Sequence, residues 1–286
     1  MNRIAFAAAT CGVGVGCALA SVQPELIYAT TLQGNLISFR ADNPANLLSG
    51  VAIQGLQPNE VVRGIDFRPA TGELFALGSF DRLYRLNPET GQATLAAAIS
   101  LTTAGSAFGF DFNPTNDLIR VLSPADQSLR INPTTGAAVL DGDVAFAAGD
   151  DNFGEDPNLV HAAYANNRPN AGSTTLFVID AALDVLGRLN PATGALTTVG
   201  ELGVDITEQG GFDISGATDI AYATFRGPTP DRSLLYTINL TTGFATEAEE
   251  IGGGVLVTSM AVLPAPGTVA TLAVTFVAFA RRRRSH

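Results

Sequence analysis

Residues 64–98 read GIDFRPATGELFALGSFDRLYRLNPETGQATLAAA, and their punctuation decides the fold. Apolar residues alternate through Ile65 and Phe67, through 73–78 and again through 82–87, with breaks between them. Alternation with a period of two marks half-buried strands. The breaks are Pro69 to Gly72 and Asn87-Pro88-Glu89-Thr90-Gly91. In such a turn Asn begins the bend, proline presets its φ, and glycine takes the left-handed position that returns the chain. Strands are expected near 64–68, 73–78, 82–87 and 92–98, joined as successive antiparallel hairpins.

Both halves of this unit recur. The turn phrase returns as INPTTGAAVL from 131, LNPATGALTTVG from 189 and INLTTGFATEAEEIG from 238. Its asparagines, Asn87, Asn132, Asn190 and Asn239, are 45, 58 and 49 residues apart. The earlier phrase returns as GFDFNPTNDLIRVLS from 109 and GFDISGATDIAYATF from 211. Four strands every 40–60 residues is the signature of a β-propeller. Units fall at 62–100, 106–142, 143–200 and 209–251, the third carrying an insertion. Residues 25–53 supply three further strands and 257–262 one. Placing that last strand innermost beside the first three makes a fifth blade and closes the ring without a covalent staple. The fold class is therefore all-β, a propeller of five blades with four antiparallel strands each. It becomes six blades if 143–200 divides into two.

The strings GIDFRPATGELFALGS, RLYRLNPETG, GFDFNPTNDLIRVLS, LRINPTTG and FDISGATDIAYATF resemble a bacterial family, domain of unknown function 4394, over about residues 25–262. The resemblance implies the extent and repeat architecture of the domain and carries no activity.

The two ends read as addresses. Residues 1–20 hold one arginine, an uncharged stretch and Ala18-Leu19-Ala20, a signal peptide with cleavage expected after Ala20 by signal peptidase. A lipoprotein signal using Cys17 is the alternative there. Residues 263–286 contain Pro264-Ala265-Pro266, about 14 apolar residues, and Arg281, Arg282, Arg283 and Arg284. This tail resembles the PEP-CTERM sorting signal of Gram-negative bacteria, with alanine where those signals carry glutamate. The resemblance implies an exosortase-type partner that cuts near Pro264 and Pro266. The arginines would stay cytoplasmic while the short helix holds the chain in the membrane. A permanent membrane anchor is the other reading, although 14 residues are short for a full span. Both readings give an extracytoplasmic location, secreted or envelope-associated.

Charge and side-chain inventory narrow the chemistry. Residues 21–264 hold eleven of the sixteen arginines against all 27 acidic residues, a net of −16, and the chain has no lysine. Such a surface repels phosphate backbones and argues against nucleic acid as a partner. Both cysteines, Cys11 and Cys17, lie in the N-terminal segment, so a processed protein has neither a disulfide nor a thiolate metal site. The histidines are His161 and His286 only. His161 alternates with apolar neighbours in LVHAAYAN, where a partnered structural role is commoner than general-base work. No G-x-S-x-G, P-loop or dinucleotide fingerprint occurs.

Two acidic sets remain. Asp66, Asp111 and Asp213 hold the same place in three repeats, pointing away from their apolar neighbours. If the first strand of each unit lines the ring, these carboxylates form a calcium site of oxygen ligands. Alternatively, each accepts amide hydrogen bonds from its own or a neighbouring turn. Asp150, Asp151 and Glu155 sit in the densest acidic run, 141–158, as a second candidate metal set or a solvated loop. The expected function is a non-enzymatic binding or structural module of the cell envelope, with polysaccharide, another envelope protein or calcium as partner. The alternatives are a calcium-dependent hydrolase or lyase, and a membrane-anchored protein that presents loops.

Overall fold

A computed structural model describes residues 24–226 and 232–264. The calls on Ala18, Ala20, Pro266 and Arg281 to Arg284 lie outside the described residues; Pro264 is the last one within them. Among the described residues every regular element is a strand, and no helix is long and apolar enough to cross a membrane.

The first sheet begins with β1 (Leu26–Thr31), β2 (Asn35–Arg40) and β3 (Asn43–Ala52). The second holds β4 (Val62–Phe67), β5 (Leu74–Gly78), β6 (Arg82–Leu86) and β7 (Ala93–Ala98). The third holds β8 (Gly109–Phe112), β9 (Ile119–Leu122), β10 (Ser128–Ile131) and β11 (Ala138–Leu140). The fourth contains β12 (Ala145–Phe146), β13 (Leu159–Tyr164), β14 (Leu176–Asp180), β15 (Val185–Leu189) and β16 (Ala195–Glu201). The fifth holds β17 (Gly210–Ile214), β18 (Ala221–Arg226), β19 (Ser233–Ile238) and β20 (Ala245–Glu250). Finally β21 (Val257–Val262) returns to pair antiparallel with β1, in a register running from Ile27 opposite Val262.

The result is a ring of five blades, as the repeat count predicts, closed by a blade built from both ends of the domain. Residues 143–200 form one blade rather than two. The insertion adds only β12, a two-residue strand parallel to β16 at the outer edge. The inner strands β21, β4, β8, β13 and β17 contact one another in sequence around the axis. Apolar clusters lie between adjacent blades, for example Phe75 and Leu77 of the second against Phe110 and Phe112 of the third. Burial of this kind holds the ring together without cross-links.

The NPxTG phrase makes the outer hairpin and also seats each blade on its neighbour. Asn87 Oδ1 accepts the amides of Glu89 and Thr90, while the Gly91 amide bonds back to the Asn87 carbonyl. Asn132 and Asn239 do the same in their blades, and Asn190 Oδ1 takes the Ala192 amide while its carbonyl takes those of Thr193 and Gly194, so the NLTTG of 239–243 is a turn like the others. Gly136 has φ 72°, and a Cβ there would stand 1.9 Å from the Ala98 carbonyl oxygen of the preceding blade. Glycine thus supplies both the left-handed turn and the close approach between blades.

Candidate functional site

The inner strands are β21, β4, β8, β13 and β17, and all five run the same way along the axis. Residues at equivalent offsets therefore form layers. The Gly64, Gly109, His161, Gly211 and Ser259 positions make one layer; Asp66, Asp111, Ala163, Asp213 and Ala261 make the next, about 7 Å further along. Glycine in the first layer lets neighbouring strands meet closely: a Cβ on Gly64 would lie 2.5 Å from Phe110 Cβ.

In the second layer the three aspartates converge. One carboxylate oxygen from each lies within 4.8 Å of the other two, and all three residues are 1% exposed. They also lace the ring. Asp66 Oδ2 accepts the Phe112 amide at 2.7 Å, Asp111 Oδ1 the Tyr164 amide at 3.0 Å, and Asp213 Oδ2 the Val262 amide at 2.6 Å. Asp213 Oδ1 further accepts its neighbour's amide, Ile214, at 2.6 Å. The sequence left two arrangements open, and elements of both occur. The carboxylates do accept amides, but chiefly from the next blade's inner strand rather than from turns, and they do meet on the axis.

The electrostatics of this layer are unfavourable to three anions. No salt bridge among the described residues reaches them. Burial, and then the charge of Asp213, hold the Asp66 carboxyl well above its usual range; burial, Asp66 and Asp213 do the same for Asp111. Burial pushes Asp213 up to about 7 against the pull of its amide donors. Asp66 Oδ1 has no hydrogen-bond partner. Asn167, 3% exposed, brings Nδ2 to 3.5 Å from Asp213 Oδ1, and its own Oδ1 is unpartnered.

The second acidic set is not gathered. Asp150 closes its own loop, accepting Asn152 N, Thr198 N and Thr198 Oγ1, which lowers its pKa. Asp151 and Glu155 are exposed and do not group with it within ligand distance.

Above the glycine layer the axis opens into a funnel of about 470 Å³. Its wall takes residues from all five blades because the residues just before each layer position, Arg63, Phe108, Val160, Gly210 and Thr258, all arrive at this mouth. His161 stands at its floor, 4% exposed, its ring 6.1 Å from that of Phe225. Its Nε2 has no hydrogen-bond partner, contrary to the expectation of a partnered structural histidine. Burial lowers its pKa to about 4, so it is neutral at pH 7. Beside it is a small void of about 10 Å³, bounded by Gly109, Gly211 and Ser259.

Sequence reading reached the aspartates through their repeat position, gave His161 a partnered structural role, and missed Asn167 and the funnel wall. Aligning HAAY of 161–164 with GFDF of 109–112 places the histidine in a glycine position, the one signal that exposes it.

The family profile described as Domain of unknown function (DUF4394) matches residues 35–261. The chain belongs to this family. Among curated proteins none matches it in sequence. Solved structures share the fold. One is the crystal structure of a nidogen/laminin complex, with TM-score 0.50 and 12% identity over 84% of this chain and 98% of that one. Another is a structural genomics protein of unknown function from Bacteroides thetaiotaomicron VPI-5482, with TM-score 0.51 and 14% identity over 80% of this chain and 59% of that one. At such identities the likeness of the DUF4394 chain to them is one of fold alone.

Proposed function

We propose that the protein is an extracytoplasmic binding propeller with a calcium ion on its axis, held by Asp66, Asp111 and Asp213, and that the funnel is its ligand-facing surface. The observation that carries the reading is the convergence of three buried carboxylates with no cationic side chain among them. Three oxygens no more than 4.8 Å apart have a common point within about 2.8 Å of each. Calcium–oxygen distances of about 2.3–2.6 Å need only a small contraction from that limit, whereas the roughly 2.1 Å of magnesium needs a larger one. Asn167 supplies a fourth oxygen if its amide turns. The ion serves architecture rather than catalysis: each aspartate already ties its blade to the next, and burial keeps a substrate off the carboxylates.

Isothermal calorimetry on chelator-treated full-length protein tests this. Calcium should bind at one site per chain and more tightly than magnesium, and Asp66→Asn or Asp111→Asn should abolish the heat while the far-ultraviolet circular dichroism stays that of the wild type. Absence of calcium heat at pH 8 would refute it.

The location rests on the two ends of the sequence: signal peptidase and an exosortase-type enzyme are the processing partners, and the envelope is where the ring works. Intact mass of protein taken from the native envelope checks this. A mass lacking residues 1–20 and the segment after about 264 supports sorting, and one retaining the arginine cluster replaces it with a resident anchor.

A further inference from the structure

We infer that the connection from β13 to β14, residues 165–175, is a strap that governs exchange of the axial cation: Asn167 closes the site at the end away from the funnel, and the Arg168–Asp219 ion pair latches it. This deepens the calcium reading above and rests on it. In three other blades the inner hairpin turns in six residues, 68–73, 113–118 and 215–220, whereas this one takes eleven. The extra length brings Asn167 onto the axis. It is 3% exposed and the one buried residue of the strap, the rest being half-buried or exposed. Its Nδ2 lies 3.5 Å from Asp213 Oδ1, while its own Oδ1 is buried without a partner. A buried amide oxygen left unpaired costs about as much as a lost hydrogen bond. Asp66 Oδ1 is unpaired as well. Both oxygens can ligate a cation.

An ion among carboxylates that are 1% exposed needs a way in, and the two ends of the axis differ. Toward the funnel the inner strands pack too closely to pass it. A Cβ on Gly109 would stand 2.7 Å from Ala162 Cβ, and one on Gly211 2.4 Å from the Met260 amide nitrogen. Opening that layer means parting blades. At the far end the next layer holds Arg68, Asn113, Ala165, Ser215 and Leu263. Its polar members are tied to the framework: Arg68 pairs with Asp117, Asn113 Oδ1 accepts Thr115 N and Oγ1 at 2.9 and 2.6 Å, and Ser215 Oγ donates to Glu25 at 2.6 Å. The strap is held differently. Arg168 Nη2 donates to Asp219 Oδ1 and Oδ2 at 2.8 and 2.9 Å, with the two side chains 49% and 55% exposed. The Asn167 carbonyl rests on Gly216, where a Cβ would stand 1.9 Å from its oxygen. An element with one buried side chain and an exposed ion pair opens at far less cost than a blade. The metal-free strap therefore opens, and a cation that takes Asn167 Oδ1 as a ligand holds it shut.

The test uses full-length protein with calcium as the probe. Calorimetry establishes binding, stopped-flow transfer of calcium to a fluorescent chelator reads its release, and hydrogen exchange with mass spectrometry reads residues 165–175. Calcium should slow exchange in 165–175 more than in 68–73, 113–118 and 215–220. Arg168→Ala touches no ligand and should speed release about two- to fivefold, the worth of an exposed ion pair, at unchanged stoichiometry. Asp219→Asn, which keeps a residue suited to the φ of 58° there, should do the same. Asn167→Ala should speed release at least about tenfold, because the ion loses a ligand together with its cover. If Asn167→Ala does not fold, the two latch variants and the exchange pattern decide. The strap is overturned if calcium binds but the latch variants release it at the parent's rate, or if calcium leaves exchange in 165–175 unchanged. Absence of calcium heat overturns both readings, whereas bound calcium with an indifferent strap overturns this one alone.

Discussion

Three buried carboxylates on one axis make the metal-free ring sensitive to pH, and Asp111→Asn measures by how much. For Asp213 alone, a pKa moved from 3.8 to about 7 corresponds to about 4 kcal/mol between its protonated and ionised forms. Asp66 and Asp111 move in the same direction, for burial and for mutual charge. Folded values above the unfolded ones mean that the folded state holds protons the unfolded chain has released. This contribution is fully present below about pH 4 and is lost as pH rises through 7. His161 works oppositely. Its pKa falls from 6.5 to about 4, so its contribution is present above pH 6.5 and is lost as pH falls toward 4. A His161→Gln background removes that opposing term. About half of the Asp213 contribution, roughly 2 kcal/mol, is lost between pH 5.5 and 8, so in this background metal-free protein should melt at least about 4–8 °C lower at pH 8 than at pH 5.5, at about 2–4 °C per kcal/mol for a domain of this size. Calcium binds the ionised carboxylates, so its stabilisation grows with pH, reaching about 2.7 kcal/mol at a hundredfold excess over Kd. Asp111→Asn keeps an oxygen for the Tyr164 amide and removes one charge. At pH 8 without metal it should raise the melting temperature, flatten the pH slope and erase the calcium shift. Differential scanning calorimetry with chelator or calcium reads all three. A metal-free Asp111→Asn protein that melts below its parent at pH 8, with an unchanged slope, would refute the reasoning, because repulsion would then not govern the layer.

Two further substitutions probe the ring itself. Gly72 and Gly136 share φ 72°, but a Cβ on Gly72 meets nothing within 4 Å while one on Gly136 stands 1.9 Å from the Ala98 carbonyl oxygen. Urea denaturation should show Gly72→Ala losing about 1 kcal/mol for the left-handed backbone and Gly136→Ala losing at least about 2 kcal/mol more, unless the blade contact relaxes freely. Ser259→Ala removes the hydroxyl that accepts the Ile65 amide at 2.9 Å across the closing blade. It should lower stability by about 1–3 kcal/mol, since that buried amide is left without a partner; an unchanged midpoint would mean the amide finds another acceptor.

How much of this was legible in the chain follows from which interactions are local. The NPxTG turns are made by Asn87 and its own next three residues, so their physics lies inside the quoted string and the blade count follows from their repetition. Ring closure pairs Ile27 with Val262, which no local pattern contains. It could be inferred only because one blade lacked a strand and one strand lacked a blade. The aspartates were found for their repeat position, yet their environment depends on three blades meeting. Asp66 accepts from Phe112, 46 residues away, and Asp213 from Val262, 49 residues away. His161 was harder still, because the fourth blade replaces the glycine and the aspartate of the phrase together.

That double replacement has one physical logic. The ring needs five inner strands close enough to bond, which glycine permits in three blades. At a fivefold axis five ionised carboxylates would leave three negative charges unbalanced by a single divalent ion, and alanine at 163 and 261 lowers that excess to one. The same alanine blade then carries His161 one layer higher, where the ring widens and an imidazole fits over Gly210 and against Phe225. A propeller with Asp in place of Ala163 would set a fourth anion beside the triad. Its metal-free form should be less stable at pH 8 than the parent, and its calcium affinity higher, if the layer is built for charge rather than for packing.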